Sequence, residues 1–179
     1  MVRSEYGARQ TTLAIADWKI QLRELLRSSK QKFAIIGIGH PLRGDDYVGS
    51  LILKLLMRNL KRIPQNVQLF DAENNVESTI SKLAKTKPNN IIFIDACEMD
   101  IEPGGTRLIP ASATEYPFFT THGIPLKLLC ERMLPESDCW ILAIQPRRME
   151  FSDNQSPEVH QVALMISEKL SKLLVEATN

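Results

Sequence analysis

Between Phe33 and Leu60 the chain passes from a short apolar run through a glycine-marked turn into an amphipathic stretch. That order restricts its fold more than any other feature. Phe33-Ala-Ile-Ile-Gly-Ile38 is uncharged and rich in Ile, as a buried strand should be. From Leu51 to Leu60 the apolar residues recur at helical spacing, which predicts a helix. A strand, a turn and a helix in that order begin an α/β fold, whose ligands gather at the carboxyl ends of the strands. A turn built to cradle phosphate would offer glycines and bare N–H groups. This one ends in Asp45 and Asp46, carboxylates that repel phosphate and attract a cation.

The rest of the chain fits the same plan. Thr12 to Ser28 predicts a helix with Leu13, Trp18, Leu22, Leu25 and Leu26 toward one face. It is expected to be an added helix packed on the main layer, with docking to a partner as the second reading. Val67 to Phe70 predicts a strand ending in Asp71, and Glu73 to Glu77 a loop leading into a helix through Lys85. Pro88-Asn-Asn90 breaks the chain before Ile91-Ile-Phe-Ile-Asp95, a second buried-type strand with a carboxylate at its end. Pro103-Gly-Gly105 is a turn, and Thr106 to Ile109 predicts an antiparallel edge strand. Thr120 to Leu126 predicts the opening of a helix that runs to Met133. Cys139 to Ile144 is the last expected strand, ending at Gln145-Pro146. Ser156-Pro157-Glu158 predicts the start of a final helix toward Glu176, with a capping hydroxyl, proline at the first position and an acid in the first turn. Helical stretches separate most of the strands. The expectation is a three-layer α/β/α sandwich around a mostly parallel sheet of about five strands. Residues 1–179 read as a single domain, with 1–32 an added N-terminal helix and 33–179 the core.

Composition removes several classes of function. The chain has 179 residues, 44% hydrophobic and 24% charged, with a formal charge of +1, so it shows no electrostatic footprint for nucleic acid. The basic stretch Arg27 to Lys32 reads as a solvated helix end. No apolar run approaches the roughly eighteen residues needed to span a bilayer. Asp17, Lys19 and Arg23 interrupt any secretory apolar segment near the N-terminus. Cys97, Cys130 and Cys139 are odd in number and far apart, which argues against a disulfide framework. A cytoplasmic protein is expected.

Each candidate for chemistry has a plainer alternative. Asp45 or Asp46 can cap the following helix, a contribution of about 1 kcal/mol. Asp95 can be a turn former at a strand end, and His122 a satisfied histidine near a helix start. Together they say more. In a parallel sheet Asp46, Asp95 and His122 can share one edge above the strands' carboxyl ends, where two carboxylates and an imidazole suit a divalent transition metal. Spacing does not choose among nickel, zinc, iron and manganese. Gly37-Ile-Gly39 hints at a dinucleotide loop, but Leu42 stands where the third glycine belongs. No G-x-S-x-G elbow is present for a serine hydrolase. Cys97 can be a soft ligand or nucleophile, yet nothing near it in sequence marks it as activated, so a buried loop cysteine is expected.

Several blocks, in order, resemble the nickel–iron hydrogenase maturation endopeptidases of the HycI/HybD type. They are Gly37-Ile-Gly-His-Pro-Leu-Arg-Gly-Asp-Asp46, Phe93-Ile-Asp95-Ala96, Pro103-Gly104, Thr120-Thr-His122-Gly-Ile-Pro-Leu126, Ile144-Gln145-Pro146 and Ser156-Pro-Glu-Val159. Asp46, Thr-Thr-His122 and the Pro-Leu that follows look closest to the HycI branch. The resemblance implies that Asp46, Asp95 and His122 contact nickel, with Asp46 and Asp95 as the catalytic carboxylates. It implies a peptidase that removes a C-terminal extension from a nickel–iron hydrogenase large-subunit precursor, with nickel presented by that precursor as the recognition signal. A monomer is expected, with no nucleic-acid partner and no membrane insertion. The rival is a non-proteolytic metal-handling or chaperone module that binds the nickel-loaded subunit without cutting it.

The chain also departs from the family pattern. His40 stands where Asn is usual, and Tyr47 where Gly is common. Asp71-Ala-Glu-Asn-Asn-Val-Glu77 replaces a glycine-rich segment that the resemblance associates with substrate recognition. Gln145 and the Asp71–Glu77 segment are therefore weaker candidates for shaping the cleft.

Overall fold

The apolar runs become adjacent strands because a segment without a polar face must be covered on both sides. The computed structural model describes residues 17–27, 31–113, 120–121 and 124–176. In chain order they form α1 (Trp18–Leu26), β1 (Phe33–Ile38), a 3-10 turn (Gly44–Tyr47) and α2 (Val48–Asn59). Then come β2 (Val67–Glu73), α3 (Val76–Thr86), β3 (Asn90–Ala96), β4 (Thr106–Pro110) and a short 3-10 turn (Ala111–Ala113). β5 (Thr120–Thr121), β6 (Ile124–Pro125), α4 (Leu126–Met133), β7 (Asp138–Ile144) and α5 (Pro157–Glu176) complete the chain. Five strands make one sheet in the order β2-β1-β3-β7-β4. All neighbours are parallel except β4, which lies antiparallel to β7 at the edge.

The pleat divides the core into two layers. Ile35, Ile92, Ile94, Leu142 and Ile144 face α1, α2 and α5. Ile36, Ile91, Phe93, Ile141 and Ala143 face α3 and α4. This is the expected α/β/α sandwich. The chain leaves β1 through α2 on one face to reach β2, and returns through α3 on the other face to reach β3. The direction of winding thus reverses beside β1, which opens a crevice between the carboxyl ends of β1 and β3.

Three boundaries differ from the sequence expectation. The helix expected from Thr120 begins only at Leu126, because Thr120–Thr121 and Ile124–Pro125 pair as a two-stranded antiparallel ladder. Pro125 disfavours helical backbone at Ile124, so the helix cannot start earlier. β2 runs past Asp71 to Glu73, where a positive φ of 48° ends it. α1 spans Trp18–Leu26, with the Asp17 carboxylate accepting from the Lys19 N–H at 3.0 Å as its cap. Thr12 to Ala16 and Ser28, included in the expected helix, lie outside the described residues.

Trp18, Leu22 and Leu26 of α1 are buried in the same layer as α2 and α5. The apolar face that a docking helix would offer to a partner is covered by the chain itself. Leu22 is fully buried, so Leu22→Ala removes packed methyl groups that this layer cannot fully refill. Urea unfolding should show a loss of about 2–5 kcal/mol.

Candidate active site

Close backbone approach sets the site. Gly39 follows β1 with φ of +135°, and a Cβ there would run into the carbonyl of Asp46. Gly49, in the first turn of α2, has no room either, since a Cβ would meet the carbonyls of Ile94 and Ile38. These two contacts let the turn that carries Asp46 fold down onto the ends of β1 and β3. The Asp46 carboxylate accepts from the His40 N–H at 2.8 Å, and the Asp46 N–H donates to the Arg43 carbonyl at 3.1 Å. Together they close the loop 40–46.

Asp95 is the penultimate residue of β3, and its Oδ1 accepts from the Ala96 N–H at 2.9 Å. Burial, and next the nearby charge of Asp46, push its carboxyl up to about 8, against the opposing pull of the Ala96 N–H. The two acids therefore meet in the crevice beside β1. At neutral pH Asp95 therefore keeps its proton, chiefly because burial disfavours its charged form. The predicted third member, His122, lies outside the described residues. Among the described residues no group of three His, Cys, Asp or Glu side chains converges.

Asp45 has a separate task. Its side chain is fully buried and points away from the crevice into the loop before α5. Oδ1 accepts from the Ser156 N–H at 2.6 Å. Oδ2 accepts from the Ser156 hydroxyl at 2.8 Å and from the N–H groups of Arg147 and Arg148 at 2.9 and 3.1 Å. Burial alone would raise its pKa, but these donors outweigh it and hold the carboxyl below its ordinary value. Capping of α2 was the expected use of one acid of the pair, yet no side chain caps that helix. The expected capping hydroxyl of Ser156 donates to Asp45 instead.

The neighbouring groups are structural in different ways. His40 Nδ1 accepts from the Leu42 N–H at 3.1 Å, so in the neutral ring the proton sits on Nε2. Lys54 Nζ donates to the Tyr47 hydroxyl at 3.0 Å and lies 5.0 Å from the centre of that ring. The same ammonium pairs with Asp71 at 3.2 Å and Glu73 at 3.6 Å. The Tyr47 hydrogen bond first, and Asp71 next, keep the Lys54 pKa well above its usual value despite partial burial. Gln145 is buried and braces the loop after β3: Oε1 accepts from the Met99 N–H at 2.6 Å, and Nε2 donates to Glu98 at 2.7 Å. Cys97 is buried, and burial raises its thiol pKa well above the usual value, which fits an unreactive loop cysteine.

Known proteins share this doubly wound fold. A Methanocaldococcus jannaschii protein assigned as a hydrogenase maturation protease is 31% identical over 169 residues, covering 88% of this chain and 94% of that protein. The Escherichia coli K12 hydrogenase 3 maturation protease is 27% identical over 114 residues, covering 63% and 71%. The crystal structure of the [NiFe] hydrogenase maturation protease HycI from Thermococcus kodakarensis superposes with a TM-score of 0.76 at 26% identity, covering 87% of this chain and 99% of that one. No family model matches the chain. The chain belongs to the hydrogenase maturation protease family and is a peptidase of the hydrolase class. Among the described residues no helix is long and apolar enough to cross a membrane.

Removing the Asp45 carboxylate strands buried donors, so Asp45→Ala should destabilise the fold by about 2–4 kcal/mol in urea unfolding. Its lowered pKa means that the stabilisation is present above about pH 4 and is lost as pH falls through the folded-state value. Asp95 has the opposite sign. Its folded form keeps a proton up to about pH 8 that an unfolded chain releases near 4, so stability declines as pH rises across that window. Thermal melting should show Asp95→Asn more stable than the parent, with the larger gain at pH 8 than at pH 5.

Proposed function

We propose that this peptidase removes the C-terminal extension of a nickel–iron hydrogenase large-subunit precursor after nickel has been inserted, and that it does so in the cytoplasm. The observation that carries the reading is the meeting of Asp46 and Asp95 at the winding reversal of the sheet. The nickel is part of the substrate. Asp46, Asp95 and His122 are assigned to engage it, since two carboxylates and an imidazole form a donor set that transition metals accept. When bound, nickel supplies Lewis-acid polarisation of an adjacent carbonyl or water. The aspartates orient the attacking water and take up its proton, and the leaving amine departs protonated.

One observation favours a second reading, a module that binds the loaded subunit without cutting it. His40 shares the loop closed by Asp46, with its backbone N–H on that carboxylate and its imidazole on the Leu42 N–H. Intact-mass spectrometry separates the two. A nickel-loaded precursor incubated with the parent should lose a C-terminal peptide. Asp46→Ala and His122→Ala should each slow that loss by about 10² or more. Precursor that binds the parent but keeps its full mass would replace the peptidase reading with the binding module. Unimpaired processing by His122→Ala would remove that residue from the site.

A further inference from the structure

The loop that carries Asp46 has an outer edge unlike the rest of the surface. On its inner side the His40 N–H meets Asp46. On its outer side the loop is zipped to residues 148–152. The Ser152 N–H donates to the Leu42 carbonyl at 3.0 Å, the Gly44 N–H to the Ser152 carbonyl at 2.7 Å, and the Asp45 N–H to the Arg148 carbonyl at 3.2 Å. The buried Asp45 carboxylate locks the same strip from beneath. Both backbones are thus held in place, yet they present two large apolar side chains to water. Phe151 is 81% exposed and Leu42 45%. No other large apolar side chain among the described residues is as exposed as Phe151.

An aromatic ring held out by a rigid loop loses little entropy when it is covered, which is the profile of a binding hot spot. Its place indicates what covers it. Leu42 lies four residues from Asp46 in the same closed loop, and residues 148–152 are bonded to that loop, so this edge adjoins the crevice that a polypeptide substrate would enter. The charges there are mixed. Arg43 and Arg148 are exposed and form no ion pair among the described residues, while Glu150 and Asp153 are exposed nearby. A mixed rim suits a polypeptide better than nucleic acid or an anionic lipid surface, which would call for one sign. A second copy of the chain would need to bury about 1,000 Å² or more for a stable contact, far beyond two side chains.

We infer that Leu42 and Phe151 form a docking rim for the precursor polypeptide next to the bond that is cut. This rests on the proposed function and adds the surface that holds the substrate. The test compares the parent with Phe151→Ser, Leu42→Ser and Phe151→Leu. Truncation of nickel-loaded precursor gives kcat and KM, and surface plasmon resonance gives affinity for the same precursor. Phe151→Ser should lower affinity and kcat/KM about tenfold or more, acting through KM. Its kcat and melting temperature should stay unchanged, and Phe151→Leu should recover most of the loss. Unchanged KM and affinity in both serine variants would overturn the inference. So would a dimeric parent that the serine variants convert to monomers, since the rim would then be a self-contact. A parent that binds without cutting would end the peptidase reading alone, and the affinities would still judge the rim.

Discussion

The buried Asp45 carboxylate exchanges its water shell for three main-chain N–H groups and one hydroxyl, all from residues 147–156. Such an exchange succeeds only when every donor is in place, because a carboxylate left unpaired in the core costs several kcal/mol. The turn between β1 and α2 and the loop before α5 are therefore fixed together or not at all. Neither belongs to the sheet, and each would be free to wander without the other. Asp46 faces the crevice because its neighbour in sequence is tied down on the opposite side. Adjacent acids thus divide the work, one fixing the backbone and the other facing the crevice.

The sheet supplies the second constraint. Its strand order places β1 between β2 and β3, with α2 and α3 on opposite faces, so no helix fills the space above the ends of β1 and β3. Asp95 at the end of β3 and Asp46 in the turn after β1 both border that space, whereas Asp45 in the same turn points away from it. The glycines at 39 and 49 then bring the two close enough for the Asp46 charge to act on Asp95. Topology chooses the place, and the missing Cβ atoms set the distance.

Much of this was legible from residues alone because it rests on local pattern. Ile-rich runs marked β1, β3 and β7, and the acid at the end of a buried run marked Asp95 as a candidate. Asp46 was reached by its position after β1. What escaped depends on long-range contact. Asp45 and its partners lie more than a hundred residues apart, so nothing near it in sequence separates an inward acid from a capping one. The role of Lys54 was hidden likewise, since its carboxylate partners sit on the neighbouring β2. The late start of α4 had a signal, Pro125, that the apolar pattern outweighed. Nothing in the sequence around Phe151 marks it, and only its exposure sets it apart.

The Lys54 cluster has an electrostatic consequence for the whole edge. Asp71 and Glu73 end β2 beside the crevice, yet they share one ammonium that the Tyr47 ring and hydroxyl also hold. One of their two charges is thereby offset where it arises. Asp95 keeps its proton at neutral pH and adds no charge of its own to the resting edge. What remains is screened within a Debye length of about 8 Å. Lys54 thus weakens the pull that this edge exerts on a free cation. The same ammonium ties the turn after β1 to the end of β2, so one side chain both quiets the edge and braces it.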